Sequence, residues 1–230
     1  MPELVLRSLR LPAPHGFSLK AGGSASLAAN VARIAAASGV GSDRIATVRQ
    51  VHGQRVAWAG PDPETSPAEA DALGTHTPGV AVGVLTADCV PILIADPRAR
   101  RVAAVHSGWR GTELEVVRAG IRALEDRGSR PGDLWVAVGP SIRACCYEVS
   151  EDLAVRFEAR FGPQAVARRD GTVRLDLIAA LMASLRQAGV PPTQIDVLPQ
   201  CTACDAELFF SHRRDRGVTG RHLNLVGCDF

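Results

Sequence analysis

Four short apolar runs constrain this fold more than any other feature: "VAVGVL" (Val80–Leu85), "VPILIA" (Val90–Ala95), "RVAAVH" (Arg101–His106) and "LWVAVG" (Leu134–Gly139). Each is short, rich in Val and Ile or in small residues, and flanked by turn-forming residues, so each reads as a buried strand. "IDVLP" and "ELFFS" read as late strands, and Ile45–Val51 alternates as a strand does. Helical patterns lie between them. Leu114, Val117, Ile121 and Leu124 share one helical face, and Thr112 followed by Glu115 makes a capping-box start at Thr112. Further helices are expected over Ser150–Arg160, Leu175–Ala188 and the Ala-rich Ser26–Ala37. The sum is a mixed α/β (α+β) chain, expected as a single domain over 1–230 with a layered architecture. The Pro- and acid-rich stretch Gly60–Asp71 reads as a surface loop within it.

Composition narrows the setting. With 230 residues, 46% of them hydrophobic, the chain can bury an ample core. A net charge of +2 without a concentrated basic stripe argues against a nucleic-acid partner. No apolar run is long enough to span a membrane, and "MPELVLRSLRLPAPHGF" lacks the apolar centre and small-residue cleavage site of a secretion signal. The six cysteines are too few and too clustered for a secreted disulfide framework. A reduced cytoplasmic protein is expected, monomeric or weakly homo-oligomeric.

Chemistry is expected where polar residues break the strands. Asp88 and Cys89 sit side by side inside "LTADCVPILIAD", although an unpaired buried carboxylate is costly. His52 ends the Ile45–Val51 stretch in "RQVHGQRV", and His106 ends a strand in "AAVHSGWRGTE". Strand ends are where side chains from several strands converge. His52, Cys89 and His106 make a credible three-ligand metal set, suited to zinc with a fourth position open. Copper also accepts two His and one Cys, but the weak axial Met it usually takes must come from Met1 or Met182. Six histidines are also too few for a multicopper cluster beside a mononuclear site. Two metal-independent or structural alternatives remain open: Cys89 as a nucleophile activated by His106, and a closed structural zinc module completed by Cys145 or Cys146.

Arg110 follows His106 at the start of the expected helix, where an arginine and free backbone N–H groups favour an anion such as phosphate. Pairing of Arg110 with Glu113 is the structural alternative. Other motifs carry less. Cys145 and Cys146 in "ACCYEV" point to opposite sides if extended and are expected not to share a metal. "CTAC" at Cys201 and Cys204 lacks a second C-x-x-C and is expected to be a chance pattern. His15, His76, His212 and His222 are expected at the surface. "SHRRDRGVTGR" (Ser211–Arg221) reads as a basic loop, either anion-binding or solvated.

Taken together and in order, "QVHG", "TADCVPIL", "VHSGWRG", "CCYEV" and "FFSHRRDRGVTGR" resemble the bacterial laccase-domain family. That family was first called copper polyphenol oxidases and later recognised as zinc-dependent purine nucleoside enzymes. The resemblance runs from about Gly16 to the C-terminus. It implies an α/β/β/α sandwich with His52, Cys89 and His106 as metal ligands, zinc as cofactor and copper as the alternative. It also implies purine nucleosides and phosphate as substrates: phosphorolysis of adenosine, inosine and 5′-methylthioadenosine, with adenosine deamination as a companion. Cys89 and Arg110 are then the expected catalytic residues, Arg110 also binding substrate. Asp88 joins them, held where its charge can orient a ligand or water. Ser107 stands where the family usually has Ala, and Lys20 where Arg is common. The segment after "HGFSLKAGG" is shortened, which implies an altered mouth to the site.

Overall fold

The computed structural model describes residues 3–40, 44–62 and 69–230. In chain order the elements are β1 (Val5–Leu6), β2 (His15–Ser18), α1 (Ala28–Ala37), β3 (Ile45–Ala46), β4 (Val56–Ala59), β5 (Ala72–Thr75) and β6 (Ala81–Thr86). There follow β7 (Val90–Asp96), β8 (Arg101–Ser107), α2 (Trp109–Glu113), α3 (Val116–Glu125), β9 (Trp135–Val138) and α4 (Glu151–Phe161). The chain ends with β10 (Val166–Arg169), β11 (Thr172–Leu175), α5 (Leu177–Gln187), β12 (Ile195–Val197) and β13 (His222–Gly227).

Two mixed sheets form, in the orders β1-β2-β13-β6-β3 and β12-β9-β7-β8-β5-β4, with β10-β11 as a separate hairpin. The two-residue alternation of a strand explains their stacking. Ile92 and Ile94 of β7 pack with Val105 and Val136 against Val117, Ile121 and Leu124 of α3, Phe157 of α4 and Leu181 of α5. Leu93 and Ala95, on the other face of β7, meet Ala104, Ala137, Val82, Val84, Val226 and Phe17 between the sheets. Leu223 and Leu225 of β13 and Ala81 of β6 bury the far face against Ile34 and Ala35 of α1. The layers are therefore helix, sheet, sheet, helix, as the resemblance implied. Strands covered on both faces are apolar at nearly every position, which is why the central runs were legible as strands. No helix among the described residues is long and apolar enough to cross a membrane.

The structure corrects several local readings. The helix expected from Thr112 is broken: α2 ends at Glu113, and Glu115 takes a left-handed backbone (φ 59°) before α3 begins. Thr112 caps nothing. Its hydroxyl bonds Ser107 at 2.8 Å, while Glu115 pairs with Arg118 and Arg160. "ELFFS" is a turn, and the missed late strand is β13, whose His222 and Asn224 disguise a central strand. Asn224 is buried between the sheets with its amide on Thr86 Oγ1 (3.0 Å) and the Val84 carbonyl (3.2 Å). Only Ile45–Ala46 of the alternating stretch Ile45–Val51 pairs as a strand. Residues 63–68 of the expected loop Gly60–Asp71 lie outside the described residues, but its last residue, Asp71, is fully buried.

Candidate metal centre and its cavity

The register of one hairpin brings Cys89 to His106. β7 and β8 pair antiparallel with Val90 opposite Ser107 and Pro91 opposite His106, so Cys89 at the head of β7 faces the end of β8. Asp88, the residue before it, has φ 90°, a left-handed backbone that reverses the chain between β6 and β7. His52 arrives from the loop before β4, also with positive φ (60°). The donor atoms of His52, Cys89 and His106 lie within 4.8 Å of one another, with Cys89 Sγ 3.9 Å from His52 Nε2. The two imidazoles meet edge to face, 4.9 Å between centroids. Zinc bonds of about 2.0 Å to nitrogen and about 2.3 Å to sulfur set tetrahedral ligand atoms about 3.5 Å apart. The spacing and the nitrogen–sulfur donor set both fit a zinc ion.

Sequence reasoning missed the residue that organises this set. Asp71 is fully buried, and its Oδ1 accepts the His106 Nδ1–H at 2.8 Å. The same carboxylate accepts the backbone N–H groups of Val51 (3.2 Å), His52 (2.9 Å) and Gly53 (2.6 Å). One side chain thus fixes the tautomer of one histidine and the loop carrying the other. Gly108 completes the cradle: a Cβ there would lie 2.9 Å from Cys89 Sγ and 3.1 Å from His52 Cδ2.

The electrostatics follow from these contacts. Burial alone pushes the Cys89 thiol up, but His106 and His52 beside it reverse the effect and bring it down to about 6. Burial alone would lower His106, but Asp71 and Cys89 raise it to about 9. Burial likewise opposes ionisation of Asp71, and the His106 and backbone hydrogen bonds still hold its carboxyl below the usual range.

Asp88 has a different setting. Its carboxylate accepts Thr202 Oγ1 (2.6 Å), Ser211 Oγ (3.0 Å) and the Arg213 N–H (2.7 Å), and its carbonyl accepts the Ile142 N–H (2.9 Å). It therefore braces the wall formed by residues 202–213 and turns Cys89 toward the cavity. That cavity, about 640 Å³, opens over the His52–Cys89–His106 set. Val48, Leu85, Ile142 and Tyr147 give it apolar walls, and Arg49, Arg110, Arg213 and Arg221 bring positive charge. Arg110 lies over the Trp109 ring at 4.8 Å and has no ion pair among the described residues. Glu113, its expected alternative partner, is taken by Arg156 at 2.6 Å. α2 is only a single turn-and-a-half, so the anion reading rests on the arginines and not on a helix terminus.

The remaining histidines divide. His212 is exposed, as expected of it, and also lines the cavity. His15 and His222 are buried: Ser8 N–H donates to His15 Nε2 at 2.9 Å, and Phe210 N–H to His222 Nε2 at 2.9 Å. His76 accepts the Trp58 Nε1–H at 3.0 Å. Within Ser211–Arg221, Asp88 accepts the Arg213 N–H and Asp215 bonds Arg214 and Thr219, while His212, Arg213, Arg216 and Val218 stay exposed and Arg213 and Arg221 line the cavity. The four cysteines expected to be unrelated come together. Cys145, Cys146, Cys201 and Cys204 form a second group of ligand-type atoms. Cys145 and Cys146 share a turn, not an extended strand, so both can face one point.

The fold and this donor set define a class: an α/β/β/α protein with two histidines and a cysteine gathered under an arginine-rimmed cavity. The chain belongs to the family described as multi-copper polyphenol oxidoreductase laccase, whose pattern matches residues 19–229. It is 37% identical over 243 residues to a purine nucleoside phosphorylase of Deinococcus radiodurans, covering 97% of this chain and 92% of that one. It is 41% identical over 202 residues to purine nucleoside phosphorylase Rv2149c of Mycobacterium tuberculosis, covering 88% and 79% respectively. The crystal structure of YlmD from Geobacillus stearothermophilus superposes with a TM-score of 0.86 at 30% identity, over 100% of both chains.

Proposed function

We propose that the chain is a zinc-dependent purine nucleoside phosphorylase acting on adenosine, inosine and 5′-methylthioadenosine, with adenosine deamination as a second activity. The observation that carries this reading is the cavity: a His–Cys–His donor set at its floor, apolar walls for a flat base, and Arg110, Arg213 and Arg221 for an anion, Arg49 being paired with Glu69. Relatives that share nearly the whole chain bear the name purine nucleoside phosphorylase.

Zinc, held by His52, Cys89 and His106, would supply a Lewis acid beside the substrate. The chain's own groups do the rest. Tyr147, Ile142, Val48 and Leu85 enclose the base, and Arg110 with its neighbouring arginines binds phosphate. A phosphate oxygen forms the bond to ribose C1′ as the C1′–N9 bond breaks, and the departing base takes the bond's electrons and the proton that hydrogen phosphate gives up. Asp88 keeps Cys89 and the 202–213 wall in place through its three donors. For deamination, water adds at C6 of adenosine in the same cavity and ammonia leaves. Among the described residues the only other ligand group is all cysteine, which supports a mononuclear site over a multicopper oxidase.

The test is product analysis with and without phosphate. Adenosine plus phosphate should give adenine and ribose 1-phosphate. Adenine release at equal rates without phosphate would overturn the phosphorylase reading. Activity that survives chelation but is lost on alkylation would favour Cys89 as a metal-free nucleophile.

A further inference from the structure

Two loops meet behind the wall of the cavity. One follows β9 and carries Cys145 and Cys146; the other follows β12 and carries Cys201 and Cys204. Their four Sγ atoms lie within 4.8 Å of one another, Cys204 being 3.6 Å from Cys145 and 3.3 Å from Cys146. All four are free thiols.

Neither ordinary role of cysteine fits. A cysteine that packs as a small hydrophobe is buried, whereas Cys145 and Cys204 are exposed. A disulfide needs an S–S distance of about 2.05 Å, well below both of these separations. Four thiolates around zinc, by contrast, lie on a tetrahedron whose edges are about 3.8 Å, from Zn–S bonds of about 2.3 Å. The separations of 3.6 Å and 3.3 Å, with every pair within 4.8 Å, bracket that length, within reach of an adjustment of side-chain torsions. The surrounding backbone also holds the loops in register. Ser141 and Cys201 form a parallel bridge, Thr202 N–H donates to the Ser141 carbonyl at 3.1 Å, and Arg143 Nε donates to the Gln200 carbonyl at 3.2 Å. The Arg143 N–H points at Cys201 Sγ, 3.4 Å away, as backbone donors do toward metal-bound sulfur.

We propose that Cys145, Cys146, Cys201 and Cys204 form a second metal site, a closed zinc tetrathiolate of structural type. Four protein ligands leave no position for water or substrate, which separates it in kind from the His52–Cys89–His106 set. Its effect on the cavity is indirect. Tyr147, next to Cys146, lines the cavity, and Thr202, next to Cys201, holds Asp88. Zinc at this position staples both residues in place.

Metal counting on the full-length protein tests this. After zinc loading and removal of excess metal, the wild type should carry two equivalents. The double variant Cys201→Ser, Cys204→Ser should carry one. Cys89→Ala should also carry one, and cobalt substituted into it should show the intense sulfur-to-cobalt absorption of a four-thiolate site. If the double variant does not fold, Cys89→Ala alone decides the question by that spectrum. Two equivalents retained in the double variant would overturn the proposal. So would a metal-free Cys89→Ala protein in which all four thiols react freely, or a disulfide among them in zinc-loaded, reduced protein. Loss of metal from the double variant but not from Cys89→Ala would uphold this site while removing the ligand reading of Cys89, so the two fail separately.

Discussion

Asp71 Oδ1 accepts the Nδ1–H of His106 at 2.8 Å and the backbone N–H of His52 at 2.9 Å, so one buried oxygen ties two candidate metal ligands together. Asp71→Asn keeps the size of the side chain but removes its charge and one acceptor. Zinc affinity should fall by roughly 10–100-fold, the usual cost of losing such a carboxylate partner. Competition with a chelator of known affinity measures it, and unchanged affinity would show that Asp71 only braces the loop.

Gly108 is required by space, not by backbone conformation. Gly108→Ala should displace Cys89 or His52, because the added Cβ would stand 2.9 Å and 3.1 Å from them. Reduced zinc occupancy with an unchanged circular dichroism spectrum is the expected result. Full occupancy would mean that both side chains can move aside.

The pH dependence of Cys89 reports its two imidazole neighbours. With metal removed, the thiol ionises near 6, while His106 stays protonated up to about 9, so thiolate and imidazolium coexist between those values. Alkylation of Cys89 by iodoacetamide should accelerate as the pH rises through about 6, well below the range of an ordinary thiol. Zinc should suppress it. A midpoint in the ordinary thiol range would contradict the geometry described.

Arg110 reaches the cavity without a carboxylate partner among the described residues. On the phosphorylase reading, Arg110→Ala should raise the apparent KM for phosphate by roughly tenfold or more, about 1.4 kcal/mol of lost binding. Steady-state kinetics at fixed nucleoside would show it. An unchanged phosphate KM would move the anion to Arg213 or Arg221.

His222 is buried in β13, and that burial lowers its imidazole to about 4, against 6.5 for the free side chain. The folded chain therefore keeps this group neutral while the unfolded chain protonates it. The stabilisation is complete above pH 6.5 and is lost as the pH falls from 6.5 toward 4, at most about 3 kcal/mol. Urea midpoints should fall over this window in the wild type and less steeply in His222→Gln. Parallel slopes would show that other groups carry the acid sensitivity.

By itself the sequence determined the central strands, the main helices and the three residues of the candidate centre. Strands buried on both faces are apolar at nearly every position, so Cys89 and His106 stood out as polar breaks at their ends, whereas His52 was read from an alternating stretch of which only Ile45–Ala46 is a strand. Local pattern failed wherever the partner was distant. Asp71 looked like the end of an acidic loop, because nothing near it in sequence reveals that it faces His106 and the 51–53 backbone. His222 and Asn224 hid β13, because a buried polar side chain is tolerated only when its hydrogen bonds exist, and those come from Phe210, Thr86 and Val84. Cys145, Cys146, Cys201 and Cys204 looked unrelated until the parallel pairing of β12 with β9 carried their two loops to the same end of one sheet. Residue type and local period are written in the chain; which atoms face one another across strands is decided only by register and packing.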